Sequence, residues 1–199
     1  MSSVAVFCGA SPGNAPEHMA LATETGTHIA KSGLRLVYGG GGLGLMGAVA
    51  RASRDHGAPV LGIIPELLRE VEATLDGIEH IFVQDMHERK IRMYTESDGF
   101  IILPGGIGTL EEAVEVLSWQ RLNLHDKPIV FLSNTGYWDL LIEEFQRIMD
   151  EGFAGRDMAH DILTATSVPE AFAKLQDRID NPIARKPLSL RDVSVEELG

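Results

Sequence analysis

Residues 100–112 read Phe100-Ile101-Ile102-Leu103-Pro104-Gly105-Gly106-Ile107-Gly108-Thr109-Leu110-Glu111-Glu112. The four leading apolar residues predict a buried strand, and Ala113-Val114-Glu115-Val116-Leu117 beyond them suits a helix. A glycine-rich turn between strand and helix leaves backbone N–H groups pointing outward at a helix N-terminus, an arrangement that binds phosphate or another anion. Glu112 falls about one helical turn in, where its carboxylate can face whatever the turn holds. The same residues also fit a plainer device. Thr109 as N-cap and Glu112 at N3 form a capping box, with Leu110, Ala113, Val114 and Leu117 as its buried stripe. A capping box has no need of Gly105-Gly106-Ile107-Gly108; close approach of a ligand to the backbone does.

The same alternation extends in both directions. Apolar runs predict strands at Val4–Cys8, Leu34–Tyr38, Val60–Ile64, His80–Val83, Phe100–Leu103, Ile129–Ser133 and Ile162–Thr164. Amphipathic stretches predict helices over about 16–31, 44–56, 86–97, 109–122, 137–151 and 169–180. The order is mostly β-α-β-α, and the strands are continuous apolar runs, as a sheet covered on both faces requires. The expected fold is therefore α/β: a Rossmann-like, doubly wound, mostly parallel sheet of about seven strands with helices on both faces. Glycines follow the strands at Gly9, Gly39 to Gly42 and Gly105 to Gly108, the edge at which such sheets bind ligands. Residues 1–181 read as one domain and 182–199 as a C-terminal tail.

The bulk composition narrows the choice of partner. Twenty-nine acidic against 17 basic residues give the 199-residue chain a net charge of −12, a field that repels nucleic acid and anionic membrane surfaces. A phosphate ligand then needs local cations and backbone donors. The single cysteine, Cys8, rules out an internal disulfide framework and reads as a buried, inert thiol. The N-terminal residues lack the pattern of a signal peptide, and no apolar run approaches membrane-spanning length, so the expected compartment is the cytoplasm. Seven scattered histidines show no metal-ligand spacing, and neither a P-loop nor a nucleophile elbow is present; neither metal nor cofactor is expected.

Two further segments carry chemistry. Gly39-Gly40-Gly41-Gly42-Leu43-Gly44-Leu45-Met46-Gly47 also joins a strand to a helix and contains a GxGxxG spacing at Gly42, Gly44 and Gly47. It reads as a second wall of the same pocket. Asp85-Met86-His87-Glu88-Arg89-Lys90-Ile91-Arg92 suits a helix with intrahelical pairs Glu88–Arg92 and Asp85–Arg89. Arg89 and Lys90 follow a strand end closely enough to reach the same rim, where a guanidinium suits an oxyanion.

Together, GGGGLGLMG at 39–47, MHERK at 86–90 and PGGIGTLEE at 104–112 resemble the LOG ("Lonely Guy") family. These are cytokinin riboside 5′-monophosphate phosphoribohydrolases, often labelled lysine decarboxylases. Cys8-Gly9-Ala10-Ser11, Trp119-Gln120, His125-Asp126-Lys127-Pro128 and Gly136-Tyr137 fit as well, so that the resemblance spans about residues 4–153. It implies hydrolysis of the N-glycosidic bond of an adenine-type nucleoside 5′-monophosphate, releasing free base and ribose 5-phosphate, and it implies a homodimer. Arg89 and Glu112 carry over as the catalytic pair. Gly105, Gly106, Ile107, Gly108 and Thr109 carry over as the phosphate cradle, and Lys90, Glu111, Ser118 and Glu70 as further substrate-binding positions. Glu112 would stabilise an oxocarbenium-like ribosyl cation, orient water or hold ribose hydroxyls; Arg89 would bind phosphate or stabilise charge on the departing base. Three rivals remain open. One is a nucleotide or cofactor carrier without turnover. Another is a NAD-type oxidoreductase using Gly42, Gly44, Gly47 and Glu66. The third is an amino-acid decarboxylase.

Overall fold

The computed structural model describes residues 1–69 and 73–183. Strands and helices alternate: β1 (Ser3–Phe7), α1 (Pro16–Lys31), β2 (Arg35–Tyr38), α2 (Gly44–Asp55), β3 (Val60–Pro65), β4 (Glu79–Val83), α3 (Met86–Thr95), β5 (Phe100–Ile102), α4 (Ile107–Arg121), β6 (Ile129–Leu132), α5 (Asp139–Asp150), β7 (Leu163–Ala165) and α6 (Val168–Asp180). Short 3-10 turns lie at Glu66–Leu68 and Arg156–His160. The strands form one sheet in the order β4-β3-β2-β1-β5-β6-β7, and every adjacent pair is parallel.

Alternate residues of each central strand enter two different cores. Val4 and Val6 of β1 pack with Leu21 and Ile29 of α1, Leu45 and Val49 of α2, and Leu175 of α6. Ala5 and Phe7 pack with Met93 of α3, Val116 and Leu117 of α4, and Phe145 of α5. Both sets are buried, which is why the strands read as unbroken apolar runs instead of alternating ones.

The strand order reverses at β1, which pairs with β2 on one side and β5 on the other. The chain leaves β1 toward α1 on one face of the sheet and leaves β5 toward α4 on the other. Their loops therefore diverge and open a crevice at the carboxyl ends of the two strands, the position at which doubly wound sheets take ligands. Among the described residues no helix is long and apolar enough to cross a membrane. Most of the tail expected from Pro182, residues 184–199, lies outside the described residues.

Candidate active site

The crevice is a cleft of about 720 Å³. Its floor is Cys8 and Gly9 after β1 and the Pro104–Thr109 turn after β5; Arg89 and Glu112 line it too. Helix α4 begins at Ile107 with Gly106 as N-cap and no side-chain cap, two residues before the expected start. The plainer capping-box reading does not hold: Thr109 lies inside the first turn and Glu112 belongs to the second. The first N–H groups of α4 are left for a ligand. A Cβ added to Gly106 or Gly108 would meet nothing within 4 Å, so the turn is open on that side. At Gly105 the reverse holds, since a Cβ there would stand 2.2 Å from Thr109 Oγ1 and 2.8 Å from Gly9 N.

Arg89 is 7% exposed despite its charge. Its Nε donates to the Ile63 carbonyl at 3.2 Å and Nη2 to the Gly39 carbonyl at 3.3 Å, while Nη1 lies 3.4 Å from Glu112 Oε1. Two strand-end carbonyls and one carboxylate thus compensate a guanidinium taken out of water. A side chain at Gly39 would stand 2.1 Å from Nη2, so this glycine makes the socket. The intrahelical pairs expected for this segment do not form. Asp85 instead caps α3 by accepting the Glu88 N–H at 2.8 Å, Glu88 accepts the Gln84 N–H at 2.8 Å, and Arg92 pairs with Glu96 at 3.6 Å.

Glu112 is 8% exposed. Burial raises its carboxyl pKa to about 7; Arg89 and Lys90 pull it down, but burial, aided by Glu111 and Glu115, prevails. The cleft therefore holds a carboxyl that changes charge near neutrality, opposite a fixed cation, beside a helix N-terminus. Cys8 is buried, and burial together with the nearby Glu112 charge pushes its thiol pKa well up, as suits an inert thiol.

The other expected site residues lie elsewhere. Lys90 turns away from Arg89 toward the outer face of α4, 2.5 Å from Glu111 and 3.0 Å from Glu115. Burial alone would lower its pKa; these two carboxylates raise it instead. Ser118 is exposed on α4, seven residues past Glu111 and so on the same stripe. Lys90, Glu111 and Ser118 do not line the cleft of this chain. Glu70 lies outside the described residues.

The 39–47 segment is a wall, through Leu45 and Met46, but not an anion site. The Gly9 carbonyl accepts the N–H groups of Leu45 at 3.0 Å and Met46 at 3.2 Å, filling the first turn of α2 where a pyrophosphate would sit. Gly44, at φ +56°, lets this contact form: a Cβ there would stand 2.3 Å from the Ala10 carbonyl carbon. Glu66, the acid of the dinucleotide reading, is half exposed and pairs with Arg69 at 3.3 Å. The NAD-type rival loses its phosphate site. The cleft is also lined by residues to which the sequence assigned no site role: the 10–15 loop after β1, His18 of α1, and Tyr137.

A family model described as "Possible lysine decarboxylase" matches residues 46–175. The cytokinin riboside 5′-monophosphate phosphoribohydrolase LOG1 of Arabidopsis thaliana is 40% identical over 98% of this chain and 92% of its own. LOG5 of the same plant is 43% identical over 87% of this chain and 76% of its own. The chain belongs to the LOG family. Solved structures extend the likeness at the level of fold. The molybdenum cofactor binding protein of Rippkaea orientalis matches with a TM-score of 0.68 at 22% identity, covering 89% of this chain and 97% of its own. The molybdenum cofactor carrier protein of Chlamydomonas reinhardtii matches with a TM-score of 0.64 at 20% identity, covering 90% and 99%. At such identities the likeness of these neighbours to this LOG family member is one of architecture.

Proposed function

We propose that this LOG family member is a phosphoribohydrolase that cleaves the N-glycosidic bond of adenosine 5′-monophosphates, N6-modified ones included. The observation that carries the reading is the buried Arg89–Glu112 pair, 3.4 Å apart, in the cleft that the open N-terminus of α4 also lines. The 5′-phosphate sits on the Gly105–Thr109 turn, whose backbone donors offset the acidic field of the chain. That fixes ribose C1′ within reach of Glu112. As the C1′–N9 bond breaks, its electron pair leaves with the base, and positive charge grows on the sugar. An ionised Glu112 stabilises that charge and orients the incoming water, which supplies the hydroxyl at C1′. Water's proton is released and the base takes one up, giving free base and ribose 5-phosphate. Arg89 holds Glu112 in place and favours its ionised form.

The domain is residues 1–181, and the protein works in the cytoplasm as a homodimer. The α3–α4 face supports dimerisation, since it leaves Ile91, Val114 and Leu122 between 41% and 52% exposed. Lys90, Glu111 and Ser118 share that face, so the partner subunit supplies the context in which they would touch substrate.

The test is incubation of the purified protein with AMP and isopentenyladenosine monophosphate. Free base and ribose 5-phosphate are expected from both, from a preparation whose light-scattering mass is twice that of the monomer. Nucleotide that stays bound and intact identifies a carrier, and a monomer of full activity removes the dimer. The pH profile tests the role given to Glu112. With the carboxylate as the working form, kcat/KM rises with pH up to about 7 and then levels. Ribose 5-phosphate affinity, measured in parallel, separates the phosphate's own ionisation near pH 6. A rate that instead falls through pH 7 assigns the work to the protonated acid.

A further inference from the structure

One peptide in the turn after β5 has no side chain on either residue, the unit joining Gly105 to Gly106. A peptide unit is planar and trans, so its carbonyl and N–H point in opposite directions. Between two glycines it reverses at little steric cost. Reversal here would put the Gly105 carbonyl where the Gly106 N–H stands at the mouth of α4. The N–H attracts a phosphate and the carbonyl repels it. The anion site therefore needs something to hold this peptide one way round.

Tyr137 is built to do so. Its hydroxyl donates to the Gly105 carbonyl at 2.5 Å. The tyrosine is itself held, because its backbone N–H donates to Oγ of Ser133 at 2.9 Å, just past the end of β6. Its ring meets Trp138 edge-on at 4.9 Å and His18 edge-on at 5.6 Å. Trp138 is buried and donates from Nε1 to the Ile102 carbonyl at 3.2 Å, on the strand that leads into the turn. Tyr137 is nevertheless 46% exposed, so hydrophobic burial alone does not explain where it stands. A phenylalanine would keep the same ring contacts and lose only the bond to Gly105.

We infer that Tyr137 is a positioning residue of the anion site: its hydroxyl latches the Gly105–Gly106 peptide so that the N–H faces the substrate phosphate. The inference rests on the phosphate being bound by the Gly105–Thr109 turn. Donation to a carbonyl also polarises the whole peptide and makes its N–H a stronger donor.

Tyr137→Phe tests the latch, with ribose 5-phosphate and adenosine titrated separately by calorimetry and AMP turnover followed in steady state. Ribose 5-phosphate affinity is expected to fall about tenfold, the scale of one lost hydrogen bond. KM for AMP rises by about the same factor with kcat within about twofold, while adenosine affinity stays as in the wild type. Unchanged ribose 5-phosphate affinity overturns the inference. So does an equal weakening of adenosine, because that marks a general loosening of the cleft. The titration reads the latch whether or not the protein cleaves nucleotides. Wild-type protein that binds ribose 5-phosphate but releases no base refutes the hydrolase reading and leaves the latch standing.

Discussion

Glu112→Gln is expected to lower kcat at least about a thousandfold while making the protein more stable above neutral pH. The amide is the same size as the carboxyl and keeps an oxygen for Arg89, so the fold and nucleotide binding persist. It carries no negative charge to set against the ribosyl cation or to draw the incoming water into line, which removes the contribution assigned to Glu112. The stability gain follows from the raised pKa. Below about pH 4.5 folded and unfolded chains both hold the Glu112 proton. Between there and about 7 the folded chain holds it and the unfolded one does not, so stability falls as pH rises and the loss is complete above about 7. Over that interval the loss amounts to about 3 kcal/mol. Glutamine escapes it, so the variant should melt higher than the wild type at pH 8 and close to it at pH 4.5. Turnover near wild-type rates would remove Glu112 from the chemistry, and equal melting at pH 8 would show that its burial is not costly.

Arg89→Ala is expected to lower kcat/KM about a hundred- to a thousandfold, by a different route. The guanidinium neutralises Glu112 and also caps the carbonyls of Ile63 and Gly39. Its loss leaves two strand-end carbonyls without their donor and a buried carboxyl without its cation. Glu112 should then hold its proton to a pH well above 7, so the pH–rate midpoint moves alkaline and part of the activity returns at pH 9. Arg89→Lys should recover little, because an ammonium cannot span three acceptors that a planar fork reaches together. A midpoint that stays near 7 in Arg89→Ala would separate Arg89 from the ionisation of Glu112.

The fold and half of the candidate site were legible in the sequence for the same reason: local pattern. Buried parallel strands write themselves as apolar runs such as Val4 to Cys8, and the turn at 104–109 marks a candidate anion site through glycines that a helix start alone does not need. Arg89 was found through the motif of its segment, although the pairing expected along its helix was wrong, because spacing along a helix reports neighbours on one face and not what lies across the sheet end. Its socket, Gly39, is fifty residues away and has no signature beyond being one of four successive glycines. The two glycine-rich turns look alike in sequence; only the position of the Gly9 carbonyl shows that the one at α2 is filled and the one at α4 is open. Lys90, adjacent to Arg89, turns to the opposite side, a difference that no linear motif encodes. Tyr137 carried no chemical pattern at all, since its role depends on a hydroxyl meeting a carbonyl thirty-two residues earlier.

The bonds of Gly9 have a consequence for the thermodynamics of binding. Its N–H donates to the Pro104 carbonyl at 3.1 Å, and its own carbonyl is the acceptor for Leu45 and Met46. One residue thereby ties together the loop after β1, the loop after β5 and the first turn of α2. Loops at the mouth of a cleft ordinarily lose conformational freedom when a ligand arrives, and that loss is subtracted from affinity. Here the ends of β1 and β5 and the start of α2 are fastened to each other before any nucleotide enters. The backbone of the cradle has little disorder left to surrender, and association should be governed by desolvation of the phosphate and not by the freezing of protein segments.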